Sequence, residues 1–198
     1  RQDKRFHEGE ALTSSIFATF ISQYFDGITT VDPHLHRHKS MEEIYTIPAT
    51  VLHAADAIAD WIKDNVEDPV LIGPDIESDQ WVSDVAKRAG APYTVLTKAR
   101  YGDHDVEISM PDIDKYRDRT PVMVDDIIST ARTMIATAGH LNRLDMNPPV
   151  CIGIHAVFAA NAYEALKKSG VAQIVTCNTI THETNAIDIS GKLAQALI

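Results

Sequence analysis

Apolar positions recur along the chain in two rhythms. At three- and four-residue spacing, Ile16, Phe17, Phe20 and Ile21 share one face, which predicts a helix over residues 11–24. The same rhythm in Val51, Leu52, Ala55, Ile58, Ala59 and Ile62 predicts a helix over 49–65. Further helices are predicted over 78–89, 130–144, 160–169 and 192–198, with Ser78 placed to cap the first of these. Between the helical stretches stand short runs rich in β-branched residues. They predict strands over 28–31, 69–72, 93–96, 121–124, 150–157 and 173–177. Residues 105–110 read either as a strand with one polar face or as part of a mobile excursion. Pro33 with the following HLHRHK marks a loop, and Gly73-Pro74-Asp75 marks a turn at a strand end.

Strands that alternate with helices at this spacing imply an α/β fold, a parallel sheet flanked by helices on both faces. Ligands of such sheets bind beyond the carboxyl ends of the strands. By that rule His34, Asp75, Lys98, Asp125 and Asp126, which come after different strands, are expected at one edge.

Composition narrows the field. The chain has 198 residues, 44% of them hydrophobic, enough for one large domain or one and a half ordinary ones. Its formal net charge of −10 argues against a nucleic-acid or membrane-surface partner. It leaves open a small phosphate-bearing substrate, which needs only a few local cations and backbone N–H groups. Cys151 and Cys177 both sit in apolar runs and read as buried small hydrophobes, so a reducing cytoplasm is expected. No apolar run approaches membrane-spanning length and no signal peptide is visible. The opening RQDKRFHEGEA carries no initiator Met and no obvious first strand. The chain therefore reads as a piece of a longer protein.

One stretch concentrates the chemistry. VMVDDIISTARTM ends an apolar run on Asp125 and Asp126, which repel each other unless cations or hydroxyls meet them. Ser129, Thr130 and Thr133 then precede or open a helix. The N–H groups of a first helical turn hold an anion, and these hydroxyls can join them. The carboxylates can accept hydrogen bonds from sugar hydroxyls beside it. The combination suits a sugar phosphate. The bland reading of the acidic pair is a solvated turn or a helix cap, which the preceding apolar strand disfavours.

VMVDDIISTART resembles the phosphoribosyl-pyrophosphate motif of type I phosphoribosyltransferases and of ribose-phosphate pyrophosphokinases. Two further matches favour the second family. RQDKRFHEGEALTSSIFA resembles its RQDK segment, which reaches the ATP of a neighbouring subunit, and TVDPHLH resembles its Asp-x-His segment. VLIGPD, TKAR and CNTITHETNAIDIS carry the resemblance through nearly the whole chain, and DDIIST is closest to the archaeal type.

The resemblance implies a type I phosphoribosyltransferase-like fold. Residues 1–52 would be the remnant of an N-terminal domain, 53–180 a ribose 5-phosphate-binding domain, and 181–198 a segment returning to the first. It implies transfer of the pyrophosphoryl group of ATP to the C1 hydroxyl of ribose 5-phosphate, giving phosphoribosyl pyrophosphate and AMP. Asp125 and Asp126 would hold the ribose hydroxyls, and Ser129, Thr130 and Thr133 the 5-phosphate. His34 and Asp75 would bind Mg2+, with His34 also facing the nucleotide. Imidazole is not a favoured Mg2+ ligand, so that role rests on the resemblance, and an ordinary loop histidine is the other reading. Zn2+ at the HxHxH run ranks low, for want of a second ligand cluster.

Lys98 and Arg100 match the family's flexible catalytic loop, and the polar, glycine-bearing 101–105 suits a mobile lid. Arg1 and Gln2 would contact ATP. A homo-oligomer is expected, with no nucleic-acid or membrane partner.

The pattern departs from the family in places. The phosphate loop usually ends in paired glycines, and here Ala131-Arg132 stands there, with Arg132 either pointing outward or adding a cation. The small glycine-bearing loop after Asp75 is replaced by Ile76-Glu77-Ser78-Asp79-Gln80-Trp81. Ser129 stands where the bacterial and animal relatives often carry Asp, and the archaeal type also has Ser. The first two departures leave room for a diverged member with altered substrate use or weak activity. Two other readings are a phosphoribosyltransferase, which should lack the RQDK and Asp-x-His segments, and a non-catalytic regulatory homologue, which the Glu-bearing loop favours and the retained Lys98, Arg100, His34, Asp75, Asp125 and Asp126 disfavour.

Overall fold

The structure, a computed structural model, describes residues 3–5, 7–35, 37–74, 78–101, 105–109 and 113–197. For Gln80 and residues 97–101 and 105–109 it describes the backbone alone. The chain divides into two compact units, 1–53 with 191–198, and 54–190.

The first unit holds α1 (Thr13–Tyr24), β1 (Ile28–Val31) and β2 (Ala49–Leu52). β1 and β2 pair in parallel, from Ile28↔Ala49 to Val31↔Leu52. Residues 49–52, predicted as the start of a helix, are thus a strand. Four apolar or β-branched residues fit either period. Pairing decides the matter: the Pro48 carbonyl accepts the Ile28 N–H at 2.9 Å, and the Leu52 carbonyl accepts that of Asp32 at 2.9 Å. The apolar stripe of α1 is present, yet Ile16, Phe17 and Phe20 are each more than half exposed, and Ala18 is the residue it buries. At the end of β1 the buried Asp32 carboxylate accepts a hydrogen bond from His53 Nδ1 at 2.8 Å.

The second unit runs α2 (Ala55–Asn65), β3 (Pro69–Gly73), α3 (Asp79–Ala89), β4 (Tyr93–Val95), β5 (Thr97–Tyr101), β6 (Asp105–Ser109) and β7 (Thr120–Ile127). It continues through α4 (Arg132–Arg143), β8 (Val150–His155), α5 (Ala162–Lys167), β9 (Gln173–Cys177) and β10 (Asn185–Ile187); α6 (Ser190–Ala196), which follows, counts with the first unit from Gly191 on. Six strands form one sheet in the order β10-β9-β8-β7-β3-β4, every pair parallel. A parallel sheet covered on both faces needs near-continuous apolar strands. Val70-Leu71-Ile72, Val122-Met123-Val124 and Cys151-Ile152 meet that need, each residue at zero exposure.

Alternation along the strands splits these residues between two layers. Val70, Ile72, Met123 and Cys151 pack with Met134, Ala138 and Leu141 of α4 and with Ala162 and Leu166 of α5. Leu71, Val122, Val124 and Ile152 turn to the other face. There α2 and α3 pack against each other and bury Ile58, Ile62, Val82 and Val85. Each such side chain contributes about 1.5–3 kcal/mol.

The α/β class and both layers agree with the alternating pattern. β7 is longer than predicted and carries both aspartates inside it. Residues 105–109 are a strand, the first of the two readings offered for that stretch; its antiparallel partner β5 was missed, as was β10, three residues among polar neighbours. No helix among the described residues is long and apolar enough to cross a membrane.

Candidate functional site

The sheet order reverses between β3 and β7. From β3 the chain steps outward to β4, whereas from β7 it proceeds through β8 and β9 to the opposite edge. Helices after the two central strands diverge to opposite faces, which opens a crevice beyond their carboxyl ends. β3 and β7 run in register through Ile72↔Met123, so the segments leaving both strands emerge at this edge.

Beyond Met123, β7 continues through Val124 to the two aspartates. Adjacent strand residues point to opposite sides of the sheet, which separates the charges more than their adjacency suggests. Both are half-buried, and Asp125 accepts the N–H of Asp126 at 3.0 Å. Asp125 stands beside Gly153 of β8. A Cβ on Gly153 would lie 2.5 Å from Ile128 Cγ1. Only glycine lets Ile128 fold down over β8 at the start of the loop between β7 and α4.

That loop, Ser129 to Ala131, delivers the chain to α4. Ala131 occupies the N-cap position in the left-handed region, φ 56°, and is buried. Asp125, Ser129, Thr130, Ala131, Arg132 and Thr133 line an open concavity of about 90 Å3, several times the space of one water. The twelve-residue α4 has no acidic residue in its first turn. Its unpaired N–H groups and positive dipole end face the same region. Arg132, the first helical residue, is exposed and adds a positive charge. Of the predicted sugar-phosphate residues, Asp125, Ser129, Thr130 and Thr133 therefore share one concavity, with Asp126 adjoining it.

The remaining predicted residues are distributed differently. His34 is exposed in the loop after β1, in the first unit. Arg1, Gln2 and Asp75 lie outside the described residues. Lys98 and Arg100 occupy β5 opposite Ile108 and Val106. Among the described residues no three His, Cys, Asp or Glu converge as a metal cage. Mg2+ asks for less, since it keeps most of its waters and takes one or two hard oxygen ligands; the half-exposed carboxylates of Asp125 and Asp126 are donors of that type. Burial pushes the Cys151 thiol far up from its ordinary range, which suits an inert core residue. Gly153 is a contributor the site reading overlooked; an isolated glycine inside the apolar run VCIGIH was its signal.

The phosphoribosyl transferase domain family matches residues 40–190. A ribose-phosphate pyrophosphokinase of Methanopyrus kandleri is 30% identical over all of this chain and 67% of its own length. Ribose-phosphate pyrophosphokinase 2 of Archaeoglobus fulgidus is 31% identical over 98% of this chain and 69% of its own. The crystal structure of phosphoribosylpyrophosphate synthetase from Mycobacterium smegmatis superposes with a TM-score of 0.81, at 19% identity, covering 99% of this chain and 66% of that one. The chain spans about two thirds of the length of these relatives.

Proposed function

We propose that this chain, which belongs to the ribose-phosphate pyrophosphokinase family, forms the ribose 5-phosphate-binding part of a ribose-phosphate diphosphokinase. The donor is ATP and the products are phosphoribosyl pyrophosphate and AMP. The observation that carries this reading is the concavity at the sheet's switch point, lined by a carboxylate, by hydroxyls and by the N-terminus of α4.

Each end of the substrate meets its complement there. Asp125 and Asp126 accept hydrogen bonds from the ribose hydroxyls. Ser129, Thr130 and Thr133 with the first amides of α4 hold the 5-phosphate, and Arg132 adds a cation to it. So held, the sugar presents its C1 hydroxyl. That oxygen forms a bond to the β-phosphorus of ATP, the bond from this phosphorus to the α,β-bridging oxygen breaks, and AMP leaves with the bridging oxygen. The hydroxyl proton passes to solvent. Such a transfer requires alignment and charge neutralisation rather than covalent help.

Lys98 and Arg100 are the residues to neutralise the transferring group, and Arg1, Gln2 and His34 the residues to hold the nucleotide. His34 and Asp75 would hold Mg2+, which would supply neutralisation of the polyphosphate charge. His34 is exposed, as a ligand of a largely hydrated ion must be. Residues 1–52 belong to an N-terminal domain whose nucleotide segment serves a neighbouring subunit of a homo-oligomer, 53–180 form the sugar-phosphate domain, and the assembly works in the cytoplasm.

The test is AMP release from ATP by the full-length protein. Release that requires ribose 5-phosphate is the expected result. Release without the sugar, or none with the sugar bound, overturns the proposal; the second outcome leaves the non-catalytic homologue.

A further inference from the structure

The phosphate loop is held from behind. Beyond the last β7–β8 pair, Ile128 donates its N–H to the His155 carbonyl at 3.0 Å. The Ile128 carbonyl then accepts the N–H of Phe158 at 2.8 Å, and the Ser129 carbonyl accepts that of Ala159 at 3.0 Å. Within a trans peptide unit the C=O and the N–H point in opposite directions. Pinning those two carbonyls to residues 158 and 159 therefore turns the N–H groups of Ser129 and Thr130 away from that segment. None of residues 155–160 lines the concavity, whereas Ser129 and Thr130 both do.

The pinning segment is itself strained. Phe158 has φ 39° and Ala160 φ 54°. Such conformations persist only where the surroundings over-determine them. Here the Phe158 ring lies 4.5 Å from His182 and 5.3 Å from Tyr163, which themselves meet edge to face at 4.9 Å. His182 is anchored in turn by the Thr184 hydroxyl, 2.9 Å from its Nδ1, and that hydroxyl also lies 2.8 Å from the one on the buried Thr176.

We propose that Phe158 and Ala159 are positioning residues for phosphate binding: the ring stack fixes their two backbone N–H groups, which aim the Ser129 and Thr130 amides at the anion. Neither residue touches substrate. The proposal rests on the ribose 5-phosphate reading of the concavity and adds to it the device that preorganises the loop. Preorganised donors bind an anion more tightly than donors that must first be ordered.

Ala159 is exposed, so substitutions there disturb little packing. Ala159→Pro deletes the N–H that holds the Ser129 carbonyl, while Ala159→Gly keeps it. In the full chain, Ala159→Pro is expected to raise the Kd for ribose 5-phosphate at least about threefold, since it removes one hydrogen bond and also pushes Phe158, the residue before it, away from its left-handed backbone. The glycine variant should stay within about twofold, and ATP affinity should not move in either. An unchanged Kd in the proline variant, or an equal loss for ATP, overturns the proposal.

A second measurement needs no ligand. Phe158→Ala is expected to speed amide hydrogen exchange at residues 128, 158 and 159, whose N–H groups carry the bonds of the clamp, more than elsewhere. Uniform or unaltered exchange overturns the proposal even if the variant is merely less stable. Failure of the wild-type chain to bind ribose 5-phosphate would instead overturn the substrate assignment, and the exchange experiment would still decide the clamp.

Discussion

Ala131 stands where the chain turns into α4, and its backbone has φ 56°. A side chain in the left-handed region costs roughly 1–2 kcal/mol, and glycine there would give back about 0.4–1 kcal/mol through the flexibility of the unfolded chain. Ala131→Gly is therefore expected to stabilise the protein by up to about 1 kcal/mol, a rise of about 2–4 °C in Tm for a chain of this size. A lower Tm on calorimetry would show that the buried methyl matters more than the strain. Asp126→Asn removes a charged acceptor; the expected loss of ribose 5-phosphate affinity is about tenfold or more, read by titration calorimetry. An unaltered Kd would remove Asp126 from the sugar site. The acidic pair and its hydroxyl neighbours were legible because strand, loop and helix start are contiguous in sequence. Gly153 and Phe158 were not, because they act through empty space and through backbone N–H groups, which no side-chain chemistry announces.

Among the elements, β5 and β6 stand apart from the main sheet as an antiparallel pair directly after β4. Lys98 and Arg100 lie two residues apart on β5. If they act on the transferring group, Lys98→Ala lowers kcat by about a hundredfold or more while ribose 5-phosphate affinity stays within about twofold. Steady-state kinetics with direct sugar binding checks this, and a parallel fall in kcat and ATP affinity would reduce Lys98 to a nucleotide ligand. Element type was readable wherever apolar runs were long, as in the strands at 69–73 and 120–127. It failed at 49–52, where four residues satisfied both rhythms and a strand elsewhere in the chain, Ile28–Val31, decided the outcome through pairing.

At the scale of the molecule the two units are unequally built. Among the described residues, unit 54–190 covers six parallel strands on both faces, whereas unit 1–53 with 191–198 has two parallel strands of four residues each. Two strands alone are marginal in water. Amide exchange of this chain is expected to be faster at residues 28–31 and 49–52 than at 70–72 and 122–124, by about a hundredfold or more. Equal protection across both sets would mean that the whole chain opens as one cooperative unit.

The central pairing of β3 with β7 has a consequence for how the protein is born. Pro69 and its neighbours must wait for Thr120 to leave the ribosome before their inner edge is satisfied. Until then Val70, Leu71 and Ile72 form a sticky, half-matched ribbon beside β4. Nascent chains stalled before residue 120 should accordingly be captured by chaperones and clump more readily than those released after residue 155, when β4 and β7 flank the ribbon and β8 in turn covers β7.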